Sequence, residues 1–162
     1  MILVLMGVSG SGKSTIGRIL ADSLGWTFLD ADDFHPAANV EKMHKGIPLD
    51  DADRGPWLDR LRHIIDEACR KGENMVLACS ALKHRYQDYL EQDDPPCVRY
   101  VYLEGSPELI RQRLDARTGH FMNPALLGSQ FEALEPPDDA IRVNIAPPPE
   151  QVAAEIRRKL DL

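Results

Sequence analysis

The sequence predicts an α/β protein built on a parallel β-sheet with helices on both faces. Two observations carry this reading. Short apolar runs alternate along the chain with segments of helical period. The apolar runs lack polar alternation, as expected of strands buried on both sides. A third observation agrees. The residues able to do chemistry fall at the carboxyl ends of the predicted strands, where open parallel sheets bind ligands.

The elements follow in order. Ile2 to Met6 is an unbroken apolar run and reads as the first strand. Ser14 to Leu24 has helical period, with Ile16, Ile19, Leu20 and Leu24 on one face and Gly25 as its stop. Thr27 to Leu29 is a second strand ending in acidic residues. Ala37 to Lys45 can form a short helix stopped by Gly46. Trp57, Leu61, Ile64, Ile65 and Ala68 mark a long amphipathic helix closed by Gly72. Arg54 precedes Pro56, so a non-helical backbone is expected there. Met75 to Cys79 and Val98 to Leu103 are the third and fourth strands. Pro107 to Arg117 is a helix, with Ser106 as N-cap and Pro107 at its first position. Ala140 to Ile145 is the fifth strand, and Pro149 to Leu160 the closing helix.

The 162 residues form one expected domain over 1–162, without linker, repeat or low-complexity tract. A chain of about 150 residues hides roughly 70% of its unfolded surface, enough for a substantial core. Nineteen Lys and Arg against 26 Asp and Glu give a net charge of −7. This argues against a nucleic-acid binder, which shows a basic face. It leaves room for a local phosphate site. No apolar run approaches the roughly 20 residues that span a bilayer. Met1 to Met6 lacks the basic start of a signal peptide and reads as a strand; without a spanning run no membrane partner is expected. Cys69, Cys79 and Cys97 are odd in number and have no metal-type spacing. They are expected to be reduced thiols in a cytoplasmic protein.

Gly7-Val8-Ser9-Gly10-Ser11-Gly12-Lys13-Ser14 matches G-x-x-x-x-G-K-[ST] between a predicted strand and a predicted helix. Its glycines let backbone N–H groups curl around phosphate oxygens, and the helix start adds its dipole. Lys13 would reach the β- and γ-phosphates, and the Ser14 hydroxyl would ligate Mg²⁺. The chain is therefore expected to bind a nucleoside triphosphate. Asp30, Asp32 and Asp33 close the second strand. On an extended backbone Asp30 and Asp32 point the same way. One can hold the water shell of Mg²⁺ while the other accepts a substrate hydroxyl proton.

Other residues leave alternatives open. His35 either bonds a polyol hydroxyl or caps the helix after Pro36. Arg54 is either a surface ion pair or the partner of an anionic substrate, since guanidinium forks match carboxylates. Cys79-Ser80-Ala81-Leu82-Lys83 permits close approach of a ligand whose charge Lys83 can meet. Arg111, Arg113 and Arg117 fall on the helix after strand four, with Arg113 and Arg117 on one face. The hinge-like stretch Thr118 to Pro124 follows, as a water-excluding lid would require. A lid arginine can neutralise transition-state charge. Pro147 to Pro149 either packs an adenine face or starts the last helix.

Taken together, these segments resemble the gluconokinase family. They are Gly7 to Thr15, Asp30-Ala31-Asp32-Asp33-Phe34-His35-Pro36, Asn39 with Lys42-Met43, Gly46 to Leu49, Asp53 to Leu58, Cys79 to Lys83, His120-Phe121-Met122, Ser129-Gln130-Phe131 and Leu134-Glu135. The resemblance runs from Met1 to about Pro137. It implies ATP-dependent phosphorylation of D-gluconate to 6-phospho-D-gluconate and ADP, feeding sugar-acid catabolism. It also implies the three-layer P-loop kinase fold of shikimate and nucleoside-monophosphate kinases. That fold has a five-stranded parallel sheet in order 2-3-1-4-5 and a mobile lid, here about 117–130. A homodimer is implied as well.

By the same resemblance the nucleotide lies on Gly7, Ser9, Gly10, Ser11, Gly12, Lys13, Ser14 and Thr15, with Arg113 beside it. Asp30 joins Ser14 at Mg²⁺, because strand three ends without the acidic residue that usually serves. The ion relying on Ser14, water and phosphate oxygens alone is the alternative. Asp32 takes the acceptor proton, and Lys13 and Arg117 carry transition-state charge. Asp32, His35, Arg54, Ser80, Lys83 and His120 form the acceptor pocket, with Arg54 on the carboxylate. Ser80 and Ala81 stand where shikimate kinases have paired glycines. The alternative acceptor is another small hydroxy acid such as shikimate. A nucleotide-dependent switch without turnover is the non-enzyme reading.

Overall fold

The protein is described from a computed structural model, which covers residues 1–91, 97–117 and 127–162. Strand β1 (Ile2–Met6) leads into α1 (Lys13–Leu24) and β2 (Thr27–Asp30). A short 3-10 helix (Ala31–Phe34), α2 (Ala37–His44) and α3 (Asp51–Lys71) follow. Then come β3 (Met75–Ala78), α4 (His84–Leu90), β4 (Val98–Glu104) and α5 (Pro107–Asp115). The chain ends with α6 (Leu127–Ala133), β5 (Ile141–Asn144) and α7 (Pro149–Leu160). The five strands form one sheet in the order β2-β3-β1-β4-β5, and every pairing is parallel.

The unpatterned strands follow from burial on both faces. Ile2, Val4 and Met6 point into one core with Leu61 and Ile65 of α3 and Tyr86 and Leu90 of α4. Leu3 and Leu5 point into the other with Ile16 and Leu20 of α1, Ile110 of α5 and Val152 and Ile156 of α7. All five β1 side chains are fully enclosed. Burial of one such aliphatic side chain contributes roughly 1.5–3 kcal/mol. The central strand is thus held from both sides, and its carboxyl end becomes a rigid platform for the loop at Gly7.

The expected helix ends hold in detail. Gly25 and Gly72 close α1 and α3 in the left-handed conformation. Ser106 caps α5, its Oγ accepting from Leu109 N–H at 3.2 Å, with Pro107 in the first turn. The proline loop does start the last helix, because Pro149 opens α7.

Five expectations are corrected. Arg54 and Gly55 are helical, with Pro56 inside α3. A reciprocal capping box starts the helix one turn earlier: Asp53 N–H donates to Asp50 Oδ1 (2.8 Å) and Asp50 N–H to Asp53 Oδ2 (3.0 Å). That cap outweighs the extended preference before proline. Asp32 sits in a 3-10 turn rather than on extended backbone, because Asp30 caps that turn by accepting Asp32 N–H at 3.0 Å. Helix α5 stops at Asp115, so Arg117 lies beyond it and does not share a helical face with Arg113. Helices α4 and α6 fall in stretches without an expected element. Finally, Cys69 and Cys97 are disulfide-bonded with Cα atoms 6.0 Å apart, leaving only Cys79 free. The end of α3 and the start of β4 meet at the amino-terminal ends of the strands, a proximity that spacing does not reveal.

Candidate active site

The loop after β1 carries the phosphate motif. Gly12 has φ +91° and serves as the N-cap of α1 without any capping side chain, so the first-turn N–H groups are left to an anion. Gly10 has φ +82°, and a Cβ there would lie 2.9 Å from Leu114 of α5. Ser11 shapes the loop: its N–H donates to Val8 O at 3.2 Å, and its hydroxyl is buried without a partner among the described residues. Thr15 is exposed in the first helical turn. Lys13 Nζ donates to Gly7 O and Val8 O, both at 3.0 Å. Burial pulls its pKa below the ordinary lysine value, against the opposing pull of Asp32 and Asp30.

Two cavities open at this end of the sheet. The smaller, about 30 Å³, is lined by Ser9, Gly10, Gly12, Lys13, Ser14, Asp32, Ser80 and Arg117. The larger, about 220 Å³, is walled by Asp32, His35, Arg54, Ser80, Lys83, Gln130 and a set of apolar side chains including Trp57 and Leu49. Asp32 and Ser80 belong to both. Of the expected acceptor residues, Asp32, His35, Arg54, Ser80 and Lys83 are therefore together. His120 lies outside the described residues. Arg117 reaches the phosphate side despite its place after α5. Arg113 flanks Gly12 and donates to Ile145 O at 2.6 Å, which ties it to the end of β5.

Asp32 is the electrostatic centre. Burial pushes its pKa up to about 6; Lys13 works against the rise and Asp30 adds to it. Cys79, behind it, is pushed up to about 12 by burial and so stays a neutral thiol. His35 is neutral near pH 7, since burial and then Arg54 lower its pKa to about 4. Its 3.8 Å approach to Asp32 Oδ1 through Nε2 is therefore not an ion pair. The ring stacks on Trp57 at 4.3 Å. Asn39 Nδ2 faces its Nδ1 at 3.2 Å, so Nδ1 accepts and Nε2 carries the proton. No side-chain cap hydrogen bond starts α2 among the described residues, and His35 lines the cavity instead of capping that helix.

Arg54 forms no ion pair among the described residues. Its Nη1 donates to Leu49 O (2.7 Å) and to the Tyr86 hydroxyl (3.1 Å), which itself donates to Asp51 Oδ1 (2.7 Å). Sequence reasoning missed Tyr86 because it missed α4. It read Trp57 as core, which is half of its role, since the ring also orients His35. Ala81 holds φ +36°, a left-handed backbone that costs a non-glycine residue about 1 kcal/mol. Gln87 Nε2 clasps its carbonyl at 2.7 Å, which fixes the turn that exposes Ser80.

Ser14 Oγ donates to Asp30 Oδ2 at 2.5 Å. Two hard oxygen donors, one in the first turn of α1 and one at the end of β2, suit Mg²⁺, which takes one or two protein oxygens plus phosphates and water. Among the described residues no group of three or more His, Cys, Asp or Glu could hold a metal. The donor set thus fits an ion that arrives with a nucleotide.

Residues 2–137 match the AAA domain family. A phosphate loop joined to an acceptor cavity on a sheet of this order defines the class: a P-loop phosphotransferase. The likeness extends further than the class. The gluconokinase of Gluconobacter oxydans (strain 621H) is 46% identical over 159 residues, covering 96% of this chain and 89% of that one. A sugar kinase from Janibacter sp. HTCC2649, solved unliganded, superposes with TM-score 0.90 at 43% identity, covering 99% and 94%. A gluconokinase from Sinorhizobium meliloti 1021 superposes with TM-score 0.82 at 39% identity, covering 98% and 94%. The chain belongs to the gluconokinase family.

Proposed function

We propose that this chain transfers the terminal phosphoryl group of ATP to the primary hydroxyl of D-gluconate, giving 6-phospho-D-gluconate and ADP. The observation that carries the reading is the junction of the two cavities at Asp32 and Ser80. A phosphoryl group at the mouth of one is within reach of a hydroxyl held in the other. Positioning of this kind is most of what phosphoryl transfer asks of a protein.

In this reading the loop from Gly7 to Thr15 cradles the phosphates, and Arg113 borders the nucleotide. Lys13 leaves the Gly7 and Val8 carbonyls for the phosphate oxygens. Arg117 lies over the transferred group. Mg²⁺, held by Ser14 and Asp30, supplies charge neutralisation when bound. Arg54 and Lys83 face the gluconate carboxylate; the orientation of the Arg54 fork by Leu49 and Tyr86 supports that role. His35 offers Nε2–H, and Ser80 its hydroxyl, to the polyol. Asp32 accepts the proton of the attacking hydroxyl late in a loose transition state. Its pKa of about 6 leaves it mostly ionised at neutral pH and close to the optimum for a base there.

We further infer a cytoplasmic homodimer without nucleic-acid or membrane partners. The net charge of −7 supports the absence of a nucleic-acid partner; the cytoplasmic and dimeric parts rest on the family likeness, since the Cys69–Cys97 disulfide removes the reduced-thiol ground. No helix is long and apolar enough to cross a membrane among the described residues. Phosphorus NMR of the product tests the chemistry: a phosphomonoester coupled to the C6 methylene is expected. Phosphate on a secondary hydroxyl, or free phosphate alone, would refute the proposal.

A further inference from the structure

Gln130 lies on α6, 121 residues from the phosphate loop, yet the two touch. Its Oε1 accepts the Ser9 N–H at 2.6 Å. Because Ser9 offers a donor, the atom facing it must be the carboxamide oxygen, which settles the orientation of the amide. Ser9 is only 6% exposed, so its N–H needs a partner. Ser9 lines the phosphate cavity and Gln130 lines the acceptor cavity. The contact therefore bridges the two at their meeting point. The phosphate that must lie there is the one handed to the acceptor, the terminal one.

We infer that Gln130 is a positioning residue: its carboxamide holds the Ser9 amide while the cradle is empty and yields it to the terminal phosphoryl group of a bound triphosphate. The inference rests on the kinase reading above and adds to it a residue that senses the third phosphate. Two consequences follow from the chemistry. The bond must be given up when a triphosphate binds, so it lowers triphosphate affinity by what one neutral hydrogen bond is worth over water, roughly two- to tenfold. A diphosphate stops short of Ser9 and leaves the bond intact.

The test is calorimetric titration of a non-hydrolysable ATP analogue, and separately of ADP, into the wild-type, Gln130→Ala and Gln130→Glu proteins. Circular dichroism checks that each variant is folded. Gln130→Ala is expected to bind the triphosphate analogue roughly two- to tenfold more tightly, with ADP affinity within about twofold of wild type. Gln130→Glu keeps an acceptor for Ser9 but sets a carboxylate against the terminal phosphate. It is expected to bind the analogue roughly tenfold or more weakly, with a smaller change for ADP. A residue that merely packs α6 would move both nucleotides alike, and in the same direction for both variants. Weaker analogue binding by Gln130→Ala, or equal changes for analogue and ADP, would overturn the inference while leaving the kinase reading intact. Failure of the wild-type protein to bind either nucleotide would overturn both.

Discussion

Asp32 holds its proton more tightly in the folded chain, at about 6, than an ordinary aspartate at 3.8. Above about pH 6 its buried charge therefore opposes folding, and the opposition fades as pH falls from 6 toward 3.8. At ~1.36 kcal/mol per pH unit the opposition is at most ~3 kcal/mol near neutrality. Two results are expected of Asp32→Asn at pH 7.5: kcat lower by a factor of roughly 10²–10⁴, and a higher Tm. In the wild-type protein kcat/KM should fall about tenfold per pH unit below pH 6, because the protonated carboxyl cannot accept the hydroxyl proton. Near-native kcat in the variant would remove Asp32 from the base role. The phosphate loop was legible residue by residue because its function lies in consecutive positions. The raised pKa of Asp32 was not, because it comes first from enclosure in the folded chain, which outweighs the opposing pull of Lys13.

Helix α3 shows how an element delivers a residue to the site. Its capping box begins the helix at Asp51, which puts Arg54 in the first turn and Trp57 one turn further, both walling the acceptor cavity. Lys42 of α2 clamps the same cap, its Nζ 2.8 Å from Asp53 Oδ2. Removing an N-cap carboxylate costs about 0.5–2 kcal/mol. Asp50→Ala is expected to lose about that much in urea unfolding, and to raise the acceptor KM more than it lowers kcat, since Arg54 is loosened and Asp32 is not. An unchanged KM would separate the cap from the site. The box was written in the sequence as Asp50 and Asp53, but proline preference masked it. Helices α4 and α6 were illegible for another reason: at seven residues each they hold two turns, too few for a periodicity to register. Both matter, since α4 carries Tyr86 to Arg54 and α6 carries Gln130 to Ser9.

At the scale of the molecule, the parallel sheet was readable from its unpatterned strands, because helices cover both faces. The strand order 2-3-1-4-5 came from family resemblance; local pattern carries no information about which strands are neighbours. The Cys69–Cys97 bond was misread for the same reason, as it joins elements that only the folded sheet brings together. That order sets β1 between β3 and β4, and so places the phosphate loop beside the loops after β2 and β3. Asp32 and Ser80 come from those two loops, and they join the cavities. The central claim is that this junction serves one acceptor. The most direct test is coupled ADP release with Mg·ATP and a panel of D-gluconate, shikimate, other sugar acids, AMP and CMP. Turnover with D-gluconate far above every other acceptor is the predicted result. Turnover that prefers another acceptor, or ADP release that no acceptor accelerates, would contradict it.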